Sequence, residues 1–167
     1  MKNRISVTNK FTIRFISYLK TYLGRTAVTQ TIFLQVTTSL CDLVPVLNWF
    51  EKLPHTSVPN ADWLRCKTAL AEVFTNSVRH AHRDLSSETP ISLEASLTDS
   101  SIEIKVFDFG TGFDLSEKLS KIDEVDVMAL GGRGLDLISQ MVDVFTYDKI
   151  SDGRNCMKIV RYYVPIS

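Results

Sequence analysis

At 167 residues and 18.9 kDa the chain has room for one sizeable core and little more, and 44% apolar against 23% charged side chains argues against global disorder. No stretch approaches the roughly 18 consecutive apolar residues of a spanning helix, while three scattered cysteines (Cys41, Cys66, Cys156) exclude a disulfide scaffold or zinc ribbon and suit a reducing, cytoplasmic setting. The zero net charge hides an asymmetry, six basic side chains and no acid in residues 1–41 against 13 basic and 19 acidic beyond, which speaks against a uniform nucleic-acid surface.

Residues 1–31 mix Lys, Arg, Ser, Thr and aromatics without a clean period, and read as a basic, loosely attached extension ahead of a domain spanning 32–167. A membrane-surface segment or a presequence are the other readings of such a stretch. The pattern sharpens at 33–36, a short strand. Asp42 then offers a cap to a helix carrying Leu43, Val46, Leu47 and Phe50. A Pro-flanked loop over 54–59 leads to the most regular helix, 61–83, with Trp63, Leu70, Phe74, Ser77 and Ala81 on its core stripe.

Pro90 opens two alternating strands, with Ile91, Leu93, Ala95 and Leu97 in the first and Ile102, Ile104 and Val106 in the second. After Asp108 come Gly110 and Gly112, then a charged stretch over 114–130. Gly131 to Gly134 lead into a helix burying Leu135, Ile138, Met141 and Val142. Two final strands, 144–150 and 156–164, close the chain. This order predicts an α+β fold, a mixed, mostly antiparallel sheet with helices on one face.

Three boxes carry the chemistry. Glu72, Asn76 and His80 stand four apart, on one side of the predicted helix and opposite its apolar stripe. Asp108-Phe109-Gly110-Thr111-Gly112 comes off a strand that ends in an acid, which can accept a hydrogen bond from an exocyclic amine. The two glycines let backbone approach a planar ligand. Gly131-Gly132-Arg133-Gly134-Leu135 opens a helix whose free N–H groups favour an anion, and Arg133 adds a planar donor fork. Singly, each is an ordinary polar face, glycine turn or capped loop.

Their ordered combination resembles the Bergerat-type, histidine kinase-like ATPase superfamily. Glu72-Val73-Phe74-Thr75-Asn76-Ser77-Val78-Arg79-His80-Ala81 and Gly132-Arg133-Gly134-Leu135-Asp136-Leu137-Ile138 look most like the bacterial anti-sigma factor serine kinases. The resemblance covers residues 33–163 and implies a two-layer α/β sandwich. It implies ATP and Mg²⁺ as cofactors, with Asn76 as the metal ligand and Glu72 as general base. Asp108 would read the adenine amine. Gly110, Gly112, Gly132, Gly134 and Leu135 would shape the pocket and phosphate cradle, Arg133 would lie near the terminal phosphates, and 114–130 would form a lid. His80 would serve as buried packing or lid contact at the nucleotide.

The same resemblance implies a protein substrate, the Ser of an anti-sigma factor antagonist, with a sigma factor as alternate partner and a homodimer as a compatible assembly. No direct nucleic-acid contact and no transmembrane segment belong to that picture. The Thr that often supports adenine in this fold is replaced here by Asn155 or Cys156. The alternatives are the ATP-binding half of a split histidine kinase, since no acceptor His lies upstream of His55, and a non-catalytic nucleotide-dependent binding module.

Overall fold

In a computed structural model of the chain, residues 15–22, 25–120 and 133–166 are described, with side chains described over 29–120 and 134–166. The described residues form one six-stranded sheet in the order β1-β2-β3-β4-β6-β5. Its strands are β1 (Phe15–Tyr22), β2 (Arg25–Val36), β3 (Ile91–Leu97), β4 (Ser101–Asp108), β5 (Val144–Lys149) and β6 (Asn155–Tyr162). Each strand pairing is antiparallel, so no parallel component of the expected mixed sheet occurs among the described residues.

The alternation read from the sequence is what fixes the buried face. Ile91, Leu93, Ala95 and Leu97 on β3 and Ile102, Ile104 and Val106 on β4 are all buried, as are Met157 and Ile159 on β6. The helices α1 (Leu43–Phe50), α2 (Asn60–Asn76) and α4 (Arg133–Met141) pack on the sheet. Trp49, Phe50, Leu70, Val73, Phe74 and Ile138 fill the space between the layers. The interstrand alternates are half-buried. There Lys105 on β4 bonds Glu94 of β3 at 3.0 Å and Glu103 at 2.9 Å.

Three features differ from expectation. The strand predicted at 33–36 is the end of β2, which begins at Arg25 and pairs with β1 from Tyr22↔Arg25 to Phe15↔Ile32. Both strands lie largely within 1–31, where no period marks them. Secondly, Asp42 does not cap α1. Its carboxylate accepts from the Thr37 amide (3.2 Å) and hydroxyl (2.8 Å), while Ser39 caps the preceding 3₁₀ turn by accepting from Cys41 N–H. Thirdly, the helix predicted over 61–83 stays α-helical only to Asn76, and a π turn, Ser77–Ala81, follows, closed by His82 N–H donating to the Ser77 carbonyl at 2.9 Å.

Candidate functional site

That π turn decides which histidine points inward. In an unbroken α-helix His80 would continue the side set by Glu72 and Asn76; the extra residue in the turn rotates it away. His80 is exposed, correcting its assignment as buried packing, and His82 is the buried one, 1% exposed. Glu72 and Asn76 remain half-buried one helical turn apart.

Gly134, in the first turn of α4, seats α4 on these two residues. A Cβ at Gly134 would stand 2.6 Å from Glu72 Oε1 and 3.5 Å from Asn76 Nδ2. Only the missing side chain lets the third box lie on the first. Leu135 and Ile138 of the same helix pack into the core and hold it there. Arg133 opens α4 but its side chain, like Gly132 and most of the predicted lid, lies outside the described residues; of 114–130, only the part to Ser120 is described, including the short helix α3 (Leu115–Ser120).

The second box meets the far end of α2. Gly110 lies so close to the π turn that a Cβ would stand 2.7 Å from the Ala81 carbonyl oxygen. Gly112 takes φ +77°, a left-handed conformation that L side chains rarely adopt, and faces Asn155 Oδ1. Between them Asp108 ends β4 with its carboxylate 1% exposed. Its Oδ1 accepts from Gly110 N–H (2.9 Å) and Asn155 Nδ2 (2.9 Å). The Tyr147 hydroxyl is shared between Oδ1 at 3.1 Å and Oδ2 at 3.0 Å.

A buried carboxylate needs this many donors, because desolvation without them costs several kcal/mol, of order 3 or more. A carboxylate accepts about four hydrogen bonds. Oδ1 is filled, and Oδ2, which among the described residues takes only the shared Tyr147 hydroxyl, keeps room for one more donor. Asn155 also donates to the Gly110 carbonyl at 2.9 Å, tying the turn to β6. Of the two residues weighed at this position, Asn155 faces Asp108, and Cys156, its neighbour on β6, takes the alternate, half-buried position.

Two contributors carry no sequence signal. Tyr147 sits among aromatics and β-branched residues that read as an ordinary strand, yet it bonds Asp108 and packs against the Phe113 ring at 4.5 Å. Burial and the adjacent Asp108 charge push its phenol pKa upward. His82 accepts the Phe109 N–H on Nε2 at 2.8 Å, inside the second box. A cleft of about 320 Å³ lined by Thr111, Gly112, Phe113, Tyr147 and Asn155 opens beside this network.

Three separated stretches therefore meet along the last turns of α2 and the π turn that follows it, an acid-and-amide pair on the first and a buried carboxylate with one acceptor position open against the second. The sequence profile of the histidine kinase-like ATPase domain matches residues 36–161. The chain belongs to this family. Among curated proteins, this histidine kinase-like ATPase domain is 34% identical over 83 residues to the serine-protein kinase RsbW of Listeria innocua, covering 46% of this chain and 52% of that protein. It is 36% identical over 83 residues to RsbW of Listeria monocytogenes serovar 1/2a, with the same coverage. Against RsbW of Staphylococcus aureus it is 32% identical over 91 residues, 51% of this chain and 57% of the relative. The chain spans about half the length of the curated relatives it matches.

The donor set fits the nucleotide that the family implies. Among the described residues, the one acceptor position left on Asp108 suits an exocyclic amine, and Gly134 brings the start of α4 against Glu72 and Asn76. Among the described residues no cluster of three or more His, Cys, Asp or Glu side chains could hold a metal by itself. A single carboxamide, Asn76, is the donor set expected of a magnesium ion that takes its other ligands from phosphates and water.

Proposed function

We propose that the chain is an ATP- and Mg²⁺-dependent protein serine/threonine kinase of the anti-sigma factor type. The observation that carries this reading is the contact of Gly134 with both Glu72 and Asn76, which sets an acid beside a metal-binding amide where a helix begins. Glu72 orients the incoming serine hydroxyl and takes its proton. Asn76 Oδ1 holds the metal, which when bound neutralises charge on the phosphates. Asp108 accepts the adenine amine through Oδ2, and the N–H groups at the start of α4, with Arg133, draw the terminal phosphates. Gly110, Gly112 and Leu135 shape the walls.

The γ-phosphoryl group passes to a serine of a small anti-sigma factor antagonist, giving ADP and phosphoserine. A sigma factor is the alternate partner, with nucleotide state biasing which one is held. The names of the RsbW relatives support the kinase reading. The absence of a membrane-spanning helix among the described residues is compatible with a cytoplasmic protein.

Radiolabelled transfer from ATP to antagonist domains tests the proposal. Glu72→Gln should lower transfer by about 10²–10⁴-fold while ATP binding persists. Equal function in both forms would favour a nucleotide-dependent binding module instead, and transfer to histidine would favour a split histidine kinase.

A further inference from the structure

His82 has no part in the chemistry above, yet it is the most deeply buried titratable ring in the molecule's described residues and touches the second box directly. Its two nitrogens meet opposite demands. The Thr38 hydroxyl lies 2.7 Å from both Nδ1 and the Thr89 carbonyl oxygen. That carbonyl can only accept, so the Thr38 proton goes to it, and Nδ1 must donate to Thr38 Oγ1. On the other side the Phe109 amide can only donate, so Nε2 must accept. One form of the ring meets both demands, the neutral Nδ1–H tautomer.

Protonation would set an Nε2–H against the Phe109 N–H, two donors facing each other in a buried place. Phe109 lies between Asp108 and Gly110, so the bond under strain is the one that fixes the turn presenting the carboxylate. The Thr38 and Thr89 contacts also staple the loop after β2 to the loop before β3, so the ring cannot swing aside without breaking them. Among the described groups, the charge that faces the ring is Asp108 at the end of β4. Thr38, Thr89 and the Phe109 amide are neutral and do not titrate. Burial depresses the ring's pKa and outweighs the Asp108 charge, which works the other way.

We propose that His82 is a positioning residue for the nucleotide site, holding the Asp108–Gly110 turn in its binding form only while its ring is neutral, so that acid weakens nucleotide binding. This deepens, and rests on, the reading of Asp108 as the base-recognising group. The sign follows from the geometry: the turn is held by the neutral ring, so binding weakens as the ring gains its proton, and folding stability follows the same course. The stabilising contribution is whole above the ordinary histidine range near 6.5, and it is lost as pH falls toward and through the folded value.

The test compares wild type with His82→Gln, whose amide oxygen can accept the Phe109 proton but whose side chain does not titrate. Mg-ATP dissociation constants are measured on the full chain from pH 7.5 to pH 5. The nucleotide's own titration is common to both proteins and cancels in their ratio. The expected wild-type excess is about tenfold weaker binding per pH unit once the ring protonates, the slope of one linked proton. In parallel, ¹⁵N spectra of the nucleotide-free wild type report the ring directly. They should show the Nδ1–H tautomer at neutral pH, with the Phe109 amide resonance moving as His82 titrates.

Equal pH slopes in the two proteins, or an Nε2–H tautomer, would overturn the proposal. If wild type binds no nucleotide at pH 7.5, the reading of the site fails, and the spectra still decide the role of His82. Should the Gln variant not fold, the wild-type titration of the Phe109 amide decides it alone.

Discussion

The last turns of α2 and the π turn that follows it border regions built to opposite rules. At the Ala81 end, Asp108 is buried under three donors, Asn155 clamps the Gly110 carbonyl, and His82 holds the Phe109 amide. At the Glu72 end the polar groups are half-buried, and among the described residues the Glu72 carboxylate takes one long 3.4 Å contact, from the neighbouring Thr75 hydroxyl. A saturated network is rigid and costly to disturb. Groups with free valences can exchange partners and protons. On the proposed reading, binding and stability belong to one region and chemistry to the other, and substitutions should divide along that line.

The largest effect is expected at Asp108. Replacing it by Ala leaves Tyr147, Asn155 and the Gly110 amide without their acceptor, and should cost about 3–5 kcal/mol in urea unfolding as well as abolish nucleotide binding. The two close-approach glycines give the sharpest contrast. Gly110→Ala drives a Cβ into the backbone of Ala81, which cannot yield, and should cost about 1–3 kcal/mol. Gly134→Ala meets only the far end of the Glu72 side chain. Helix propensity offsets that crowding, by up to about 1 kcal/mol. Unfolding should barely change while phosphoryl transfer drops about tenfold or more as Glu72 is displaced. Equal stability losses at the two glycines would erase the distinction.

Tyr147→Phe should cost about 1 kcal/mol, since its ring packing stays and only the hydroxyl bond to Asp108 is lost. It also carries a pH signature. The folded-state phenol pKa is raised above the unfolded value of 10.0, so its contribution is whole below that value and falls as pH rises past it. Wild type should lose stability above pH 10 more steeply than the Phe variant in denaturant titrations. The smallest effect belongs to the alternate face of the sheet, where Lys105→Met removes two partly exposed ion pairs. It should cost about 0.5 kcal/mol and leave ATP affinity unchanged.

What could be read from the residues alone follows from how local the signal is. Alternation on β3 and β4 is a local pattern with one structural meaning, whereas the glycine spacing after Asp108 gains its meaning only in ordered combination with the other two boxes. The four-residue ladder through His80 assumed an uninterrupted helix. A π turn adds a residue without any mark in composition, so the inward histidine was read two positions early. Tyr147 reaches Asp108 across β6 from a strand 39 residues away in sequence, and an aromatic in a strand looks like core. The β1–β2 pairing was hidden for a related reason: its residues show no two-residue period, and the partner that orders β2 is β3, some 60 positions on.

Titration calorimetry of Mg-ATP into the folded chain, run beside Asp108→Asn at matched circular dichroism, tests the central claim most directly. Saturable one-to-one binding by wild type and its loss in the Asn variant is the predicted result. Undiminished binding after that exchange, or no heat from the folded wild type, would contradict it.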